Sequence, residues 1–192
     1  MNGPTPDSFI VLTFPLPSRS LMLIAVFITL AACSPKYDWR EVHGTDAPFV
    51  VLLPAKPVTV SRPVNLDGVQ VTMVMTAAEV GGVSFAVGSA ALPDAGAAQL
   101  ALLAMKKAML NNIKGTIVTE KTAATMPVSG AAASGSIATD IEAAGSIGGQ
   151  PARLFARFVT QDKRVYQAIV LGPEQALSRD AVDAFFSSFK LH

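Results

Sequence analysis

The chain has 192 residues, 51% of them hydrophobic, with 15 Lys and Arg against 14 Asp and Glu and a formal net charge of +1. So even a balance sets up no long-range field for nucleic acid or a strongly acidic surface, so no nucleic-acid partner is expected. A single cysteine and two histidines rule out an intrachain disulfide and a thiolate-rich metal site, so packing alone must hold the fold. The mean hydropathy of +0.44 looks membrane-like, but much of it comes from alanine and from one apolar run near the N-terminus.

That run extends from Leu21 to Leu30, with Arg19 just ahead and Ala31-Ala32-Cys33 just behind. A charged flank, a short apolar core and a small-residue exit make a secretory signal peptide. A membrane span needs roughly 20 apolar residues, and Lys36, Asp38, Arg40 and Glu41 arrive too soon to extend the run. Residues Met1 to Pro17 fit poorly, having no Lys or Arg, an acidic Asp7, and Pro4, Pro6, Pro15 and Pro17 to break any helix. Translation is therefore expected to begin nearer Arg19.

Leu30-Ala31-Ala32-Cys33 resembles the lipobox of bacterial lipoproteins at each of its four positions. The resemblance implies that the Cys33 thiol takes a diacylglycerol, that the chain is cut before it, and that the new amino group is acylated. Each buried CH₂ contributes about 0.8 kcal/mol, so one acyl chain is marginal while two or three hold stably in a lipid bilayer. Ser34 stands where an aspartate would argue for inner-membrane retention, which leans toward the outer membrane, facing the periplasm. The alternative is an ordinary signal peptide that leaves a free cysteine, a liability in an oxidising compartment. Cutting 1–32 from the 192 residues leaves 160: a tether at 33–36 and one domain over 37–192, large enough for a real core.

In that domain Tyr37 to Val42 alternates apolar with charged residues, a half-buried strand, and His43 to Asp46 reads as a turn. Phe49 to Leu53 is wholly apolar and stopped by Pro54, a buried strand; Ala55 to Pro63, punctuated by prolines, reads as edge or irregular chain. Asp67-Gly68 suits a tight hairpin turn, and Val69 to Met75 then alternates, with Val69, Val71, Met73 and Met75 on one face. Gly81-Gly82 turns the chain into Val83 to Val87, so the pair predicts an antiparallel sheet.

Asp94 is the expected N-cap of a long helix whose sheet-facing stripe is Leu102, Met105, Met109 and Ile113. Lys106 falls inside that stripe and must snorkel, and Gly115 is the expected C-terminal cap. Thr116 to Thr119 is β-branched throughout, a strand. Gly130 to Gly149 reads either as a flexible linker or as a strand over about Ser136 to Ala143 followed by a turn at Gly145 to Gly149.

Arg153 to Thr160 puts Leu154, Ala156 and Phe158 on one face and Arg153, Phe155 and Arg157 on the other. After a turn at Gln161 to Arg164, Val165 to Leu171 is apolar enough for a central strand, stopped by Gly172-Pro173. Ser178 is the expected N-cap of a last helix bearing Val182, Phe185, Phe186 and Phe189 at i, i+3, i+4 and i+7. On this pattern Phe186→Ala is expected to cost about 3–5 kcal/mol.

Tyr37 and Trp39 at a strand start and the run Leu52-Leu53-Pro54-Ala55-Lys56-Pro57 open a wider pattern. Gly148-Gly149-Gln150-Pro151-Ala152-Arg153 before a long hairpin and the ending Phe185-Phe186-Ser187-Ser188-Phe189-Lys190-Leu191 complete it. Together they look like the PsbP/DcrB-like group of small envelope and thylakoid-lumen proteins. The resemblance implies an α+β fold, an antiparallel sheet flanked by helices in an α-β-α sandwich. It also implies an accessory or binding role without common catalytic residues or cofactors.

Few residues suggest chemistry. His43, near Asp38, Glu41 and Asp46, is the one internal histidine on which a metal site or a hydrolase triad could be centred. It supports the alternative of an envelope enzyme, against the simpler reading of a solvated turn histidine. No hydrolase elbow, zincin helix, Walker loop or dinucleotide fingerprint is present. Arg153, Arg157, Lys163 and Arg164 form the densest basic hairpin, a candidate surface for anionic headgroups or an envelope protein partner. Met105 and Met109 motivate a third reading, a small apolar ligand carried between helix and sheet, though a packed core explains them as well.

Overall fold

Prolines, glycines and paired turn residues cut the domain into ten strands and two helices among the residues described by the computed structural model, 36–125 and 136–192. The Leu21–Leu30 run, the Leu30-Ala31-Ala32-Cys33 motif, the expected start near Arg19 and the first part of the Gly130–Gly149 stretch lie outside the described residues. In chain order the elements are β1 (Arg40–His43), β2 (Phe49–Leu53), β3 (Val58–Leu66), β4 (Val69–Val80), β5 (Val83–Ala91) and α1 (Ala95–Asn112). There follow β6 (Thr116–Thr125), β7 (Ser136–Ile147), β8 (Gln150–Gln161), β9 (Arg164–Pro173), a 3₁₀ turn (Glu174–Ala176), α2 (Arg179–Ser188) and β10 (Lys190–Leu191). The class is α+β, with antiparallel sheet outweighing helix.

Seven strands form one sheet in the order β3-β4-β5-β9-β8-β7-β6, and β1-β2-β10 form a small second sheet. Tight turns set the register of the large sheet. Asp67-Gly68, Gly81-Gly82 and Gly148-Gly149 have φ of 52 and 86, 60 and 77, and 57 and 82 degrees. Positive φ at both central residues gives the turn whose twist matches the strands it joins. The β3–β4 and β8–β9 turns lie at one end of the sheet; the β4–β5 and β7–β8 turns lie at the other.

Because β9 is central and side chains alternate, it must be apolar on both faces. Val165 and Ile169 face the α1 layer, while Tyr166, Ala168 and Val170 face the α2 layer. On β8, Leu154, Ala156 and Phe158 go to α1 and Phe155 and Val159 go to α2, as the alternation predicts. The α1 core is built on small contacts, with Ala98 and Ala101 fully buried beside Leu102 and Met105. The α2 core is aromatic: Phe185 meets Phe85 edge-on at 5.7 Å, and Trp39 meets Phe85 at 6.1 Å.

Both helix starts follow the sequence. Asp94 accepts from Ala97 N at 2.8 Å, and Ser178 accepts from Ala181 N at 3.4 Å. Lys106 escapes the apolar stripe by reaching Glu120 at 2.6 Å. The end of α1 differs from expectation. Lys114, with φ of 49 degrees, holds the left-handed position, while Gly115 N donates to Leu110 O and Lys114 N to Asn111 O. This is a Schellman cap with lysine in the usual glycine place. Gly115 serves close packing instead, since a Cβ there would sit 2.7 Å from the Ile113 side chain.

Other boundaries shift for physical reasons. The first strand is shorter than Tyr37 to Val42 and takes in His43, because β1 pairs only where β2 lies opposite. Ala55 to Pro57 stay irregular and Val58 onward forms the edge strand β3, where Pro63 leaves no central ladder bond unmade. Gly145 belongs to β7, not to a turn; a Cβ there would strike Ile113 O. β10, two residues long, was not expected.

The apolar stripe of α2 is not uniform. Phe185 is 0% exposed whereas Phe186 is only partly buried, flanking Arg157. The large cost expected for Phe186→Ala therefore moves to Phe185. Phe185→Ala should cost about 3–5 kcal/mol and Phe186→Ala about 1–2 kcal/mol in urea melts; equal losses would contradict this packing. Burial raises the pKa of the Tyr166 hydroxyl, with Arg164 opposing and Asp162 adding. A raised folded-state value keeps its stability below the unfolded value near 10 and loses it as pH climbs through the folded value. Tyr166→Phe should flatten the alkaline limb of a stability–pH profile; an unchanged limb would contradict the assignment.

Candidate functional site

The alternation that aims Phe155 and Val159 at α2 also aims Arg153 and Arg157 to that side, and on β7 it aims Asp140 and Glu142 the same way. Counting outward from the Gly148-Gly149 turn puts Arg157 opposite Asp140 and Phe155 opposite Glu142. These pairs line a groove of about 300 Å³ between α2 and strands β6 to β8, with Lys121 and Asp183 on its walls and Phe155 and Phe186 among its apolar lining.

Arg157 grips Asp140 with two parallel bonds, Nε to Oδ1 at 2.7 Å and Nη2 to Oδ2 at 2.9 Å, and its Nη1 donates to Phe186 O at 3.2 Å. The hydrogen bond to Asp140 holds the Arg157 pKa above its ordinary value, against the opposing effect of burial. Glu142, whose side chain is 18% exposed, accepts from Arg153 Nη1 at 3.1 Å and Arg179 Nη2 at 2.9 Å through the same oxygen. Arg153 also reaches Glu174 at 2.9 Å. Two guanidiniums stack on the aromatic lining: Arg179 over Phe155 at 4.7 Å and Arg157 over Phe186 at 5.6 Å. The groove thus sets a lattice of paired arginines and carboxylates over aromatic rings, with Lys121 and Asp183 on its walls.

The four basic residues expected as one surface do not converge. Arg153 and Arg157 belong to this lattice, whereas Lys163 sits in the β8–β9 turn and Arg164 lies opposite Gln161. That is eight residues along β8 from Arg153, or roughly 26 Å at about 3.3 Å per residue. His43 lies on β1 with Nε2 at 3.0 Å from Glu41 Oε1, both side chains well exposed. Asp38 bonds Arg40 instead, so the carboxylates around His43 do not gather. Among the described residues no group of three His, Cys, Asp or Glu is placed to hold a metal ion. Met105 is packed in the α1 core and Met109 borders it.

The reading of the residues missed Asp140, Glu142, Glu174 and Arg179 as partners. For Asp140 a signal was present: a two-residue turn fixes the β7–β8 register, and the register pairs it with Arg157. Glu174 and Arg179 come from beyond β9, and no local spacing reports them. Compared with protein-family models and with curated proteins, the chain matches none.

If the lattice is cooperative, a double-mutant cycle of Arg157→Gln and Asp140→Asn should give a coupling energy of about 1 kcal/mol that shrinks in high salt. A coupling of zero in low salt would contradict it.

Proposed function

We propose that the protein is a lipid-anchored envelope lipoprotein whose folded body is a non-catalytic binding or accessory module. The observation that carries the reading is Leu30-Ala31-Ala32-Cys33, three residues ahead of the first described residue, Lys36. An acyl group at Cys33 would hold the body at the bilayer, at the outer membrane facing the periplasm. Among the described residues no helix is long and apolar enough to cross a membrane, and Cys33 would supply attachment without one. The α-β-α sandwich of the PsbP/DcrB-like group is part of the proposal. Its support is the antiparallel sheet with α1 packed into one core and α2 into the other.

The binding role draws on the groove beside α2. Its arginines are held by Asp140 and Glu142 against an aromatic lining, while Lys121 and Asp183 stand on its walls, an arrangement that favours recognition of an envelope protein partner. The alternative enzyme reading would centre on the exposed His43–Glu41 pair, which has no hydrogen-bonded hydroxyl among the described contacts.

Intact-mass measurement of the native protein should show Cys33 as the first residue, carrying a diacylglycerol and an amide-linked acyl chain. Cys33→Ser should leave the processed, acylated form unmade. A native protein with its sulfur bare would overturn the proposal.

A further inference from the structure

Among the described residues no layer packs on the outer side of α1, yet that side is not polar. Leu100 is 53% exposed and Leu103 55% exposed. With exposed Lys107 and half-buried Leu110 they make a stripe at i, i+3, i+7 and i+10, turned away from the buried Ala98, Ala101, Leu102 and Met105. From Ala95 to Thr119 the sequence contains no Asp or Glu and three lysines, Lys106, Lys107 and Lys114. Lys106 is paired with Glu120, which leaves Lys107 on the stripe and Lys114 at its end. Leucine beside lysine, with no carboxylate between, is the composition of a helix face that rests in the headgroup layer of an anionic bilayer.

A second observation gives the direction of approach. Lys36 lies beside Gly81, at the end of the sheet that holds the β4–β5 and β7–β8 turns. α1 finishes at that same end, where Ser146 N donates to Ile113 O and the exposed Ile147 adjoins the Gly148-Gly149 turn. Three residues span at most about 11 Å, so lipid at Cys33 would bring this end, and Lys114 with it, to the bilayer. Lys163 is at the opposite end, where its carbonyl accepts from Leu92 N ahead of α1.

We infer that the Leu100–Leu103–Lys107 stripe, continued by Lys114, is a second membrane contact that seats α1 on an anionic lipid surface. Its orientation rests on the anchor proposed at Cys33, whereas the stripe itself does not. The contact fixes how the body is presented: α1 goes down to the lipid, and the groove beside α2, on the other face of the sheet, stays open to the periplasm.

The test uses the full chain carrying Leu103→Cys, labelled with an environment-sensitive fluorophore, in vesicles of phosphatidylethanolamine and phosphatidylglycerol doped with a nitroxide lipid. Lys163→Cys serves as the far-end reference. Quenching at 103 should exceed that at 163 several-fold, and Lys107→Gln with Lys114→Gln should reduce it toward the reference. Equal quenching at both sites would overturn the inference. So would self-quenching at 103 that rises with protein density and ignores the nitroxide, which would mark contact with a second copy. Intact mass reads the anchor separately. If Cys33 is bare, the Cys33→Ser, Leu103→Cys chain is read with added vesicles, where quenching upholds the lipid contact and its absence refutes it.

Discussion

The constraint on which the structure depends is that β9 is buried on both faces, with β8 beside it buried on its α1 face and, through Phe155 and Val159, on part of the other. A strand of this kind has no polar side to turn to water, so each face needs its own cover. Neither a disulfide nor a metal cluster among the described residues substitutes for that cover. The two covers are built differently. α1 packs chiefly on β8, β9 and β3, and its buried Ala98 and Ala101 share a core with the small Ala86, Ala143 and Ala156 of the sheet. α2 brings Phe185 edge-on to Phe85 and is followed by Phe189, which meets Phe49 of the small sheet, so aromatic rings fill this side. The glycines follow the same logic: Gly88 leaves room for Met75 and Gln167, and Gly145 for the end of α1.

Charge completes what packing begins. On β7 the carboxylates Asp140 and Glu142 are tied through arginines to the α2 side. Arg157 links β7, β8 and the Phe186 carbonyl, and Glu142 links β8 to the start of α2 through Arg153 and Arg179. Partly exposed pairs of this sort contribute little stability one at a time. Their effect is to fix orientation, which gives the groove a defined shape. A site whose arginines and carboxylates hold each other keeps a defined shape for specific contact.

Much of this was legible in the residues because local rules agreed with the fold. The turns at Asp67-Gly68, Gly81-Gly82 and Gly148, the caps Asp94 and Ser178, and the two-faced reading of Leu154 to Phe158 all depend on spacing within one segment. Lys106 was legible even as an exception, since a lysine in an apolar stripe must find a way out, and it finds Glu120. What the residues did not disclose depends on distance in the chain. The position of Phe185 rather than Phe186 against Phe85, the Schellman cap closed by Lys114, the two-residue β10, and the placement of Arg179 on Glu142 all require the tertiary arrangement. The basic hairpin shows the limit most plainly. Arg153, Arg157, Lys163 and Arg164 are neighbours in sequence, but an extended strand spreads them and the carboxylates of β7 neutralise two of them.

The central claim is that two differently built cores share β8 and β9 and so stand or fall together. Native-state hydrogen exchange on Phe185→Ala measures this most directly, because the substitution touches only the α2 side. If the cores are coupled through the shared strands, the amides of Ala98 to Met105 in α1 lose protection by the same free energy as those of Val182 to Ser188. Unchanged protection in α1 alongside lost protection in α2 would contradict the account.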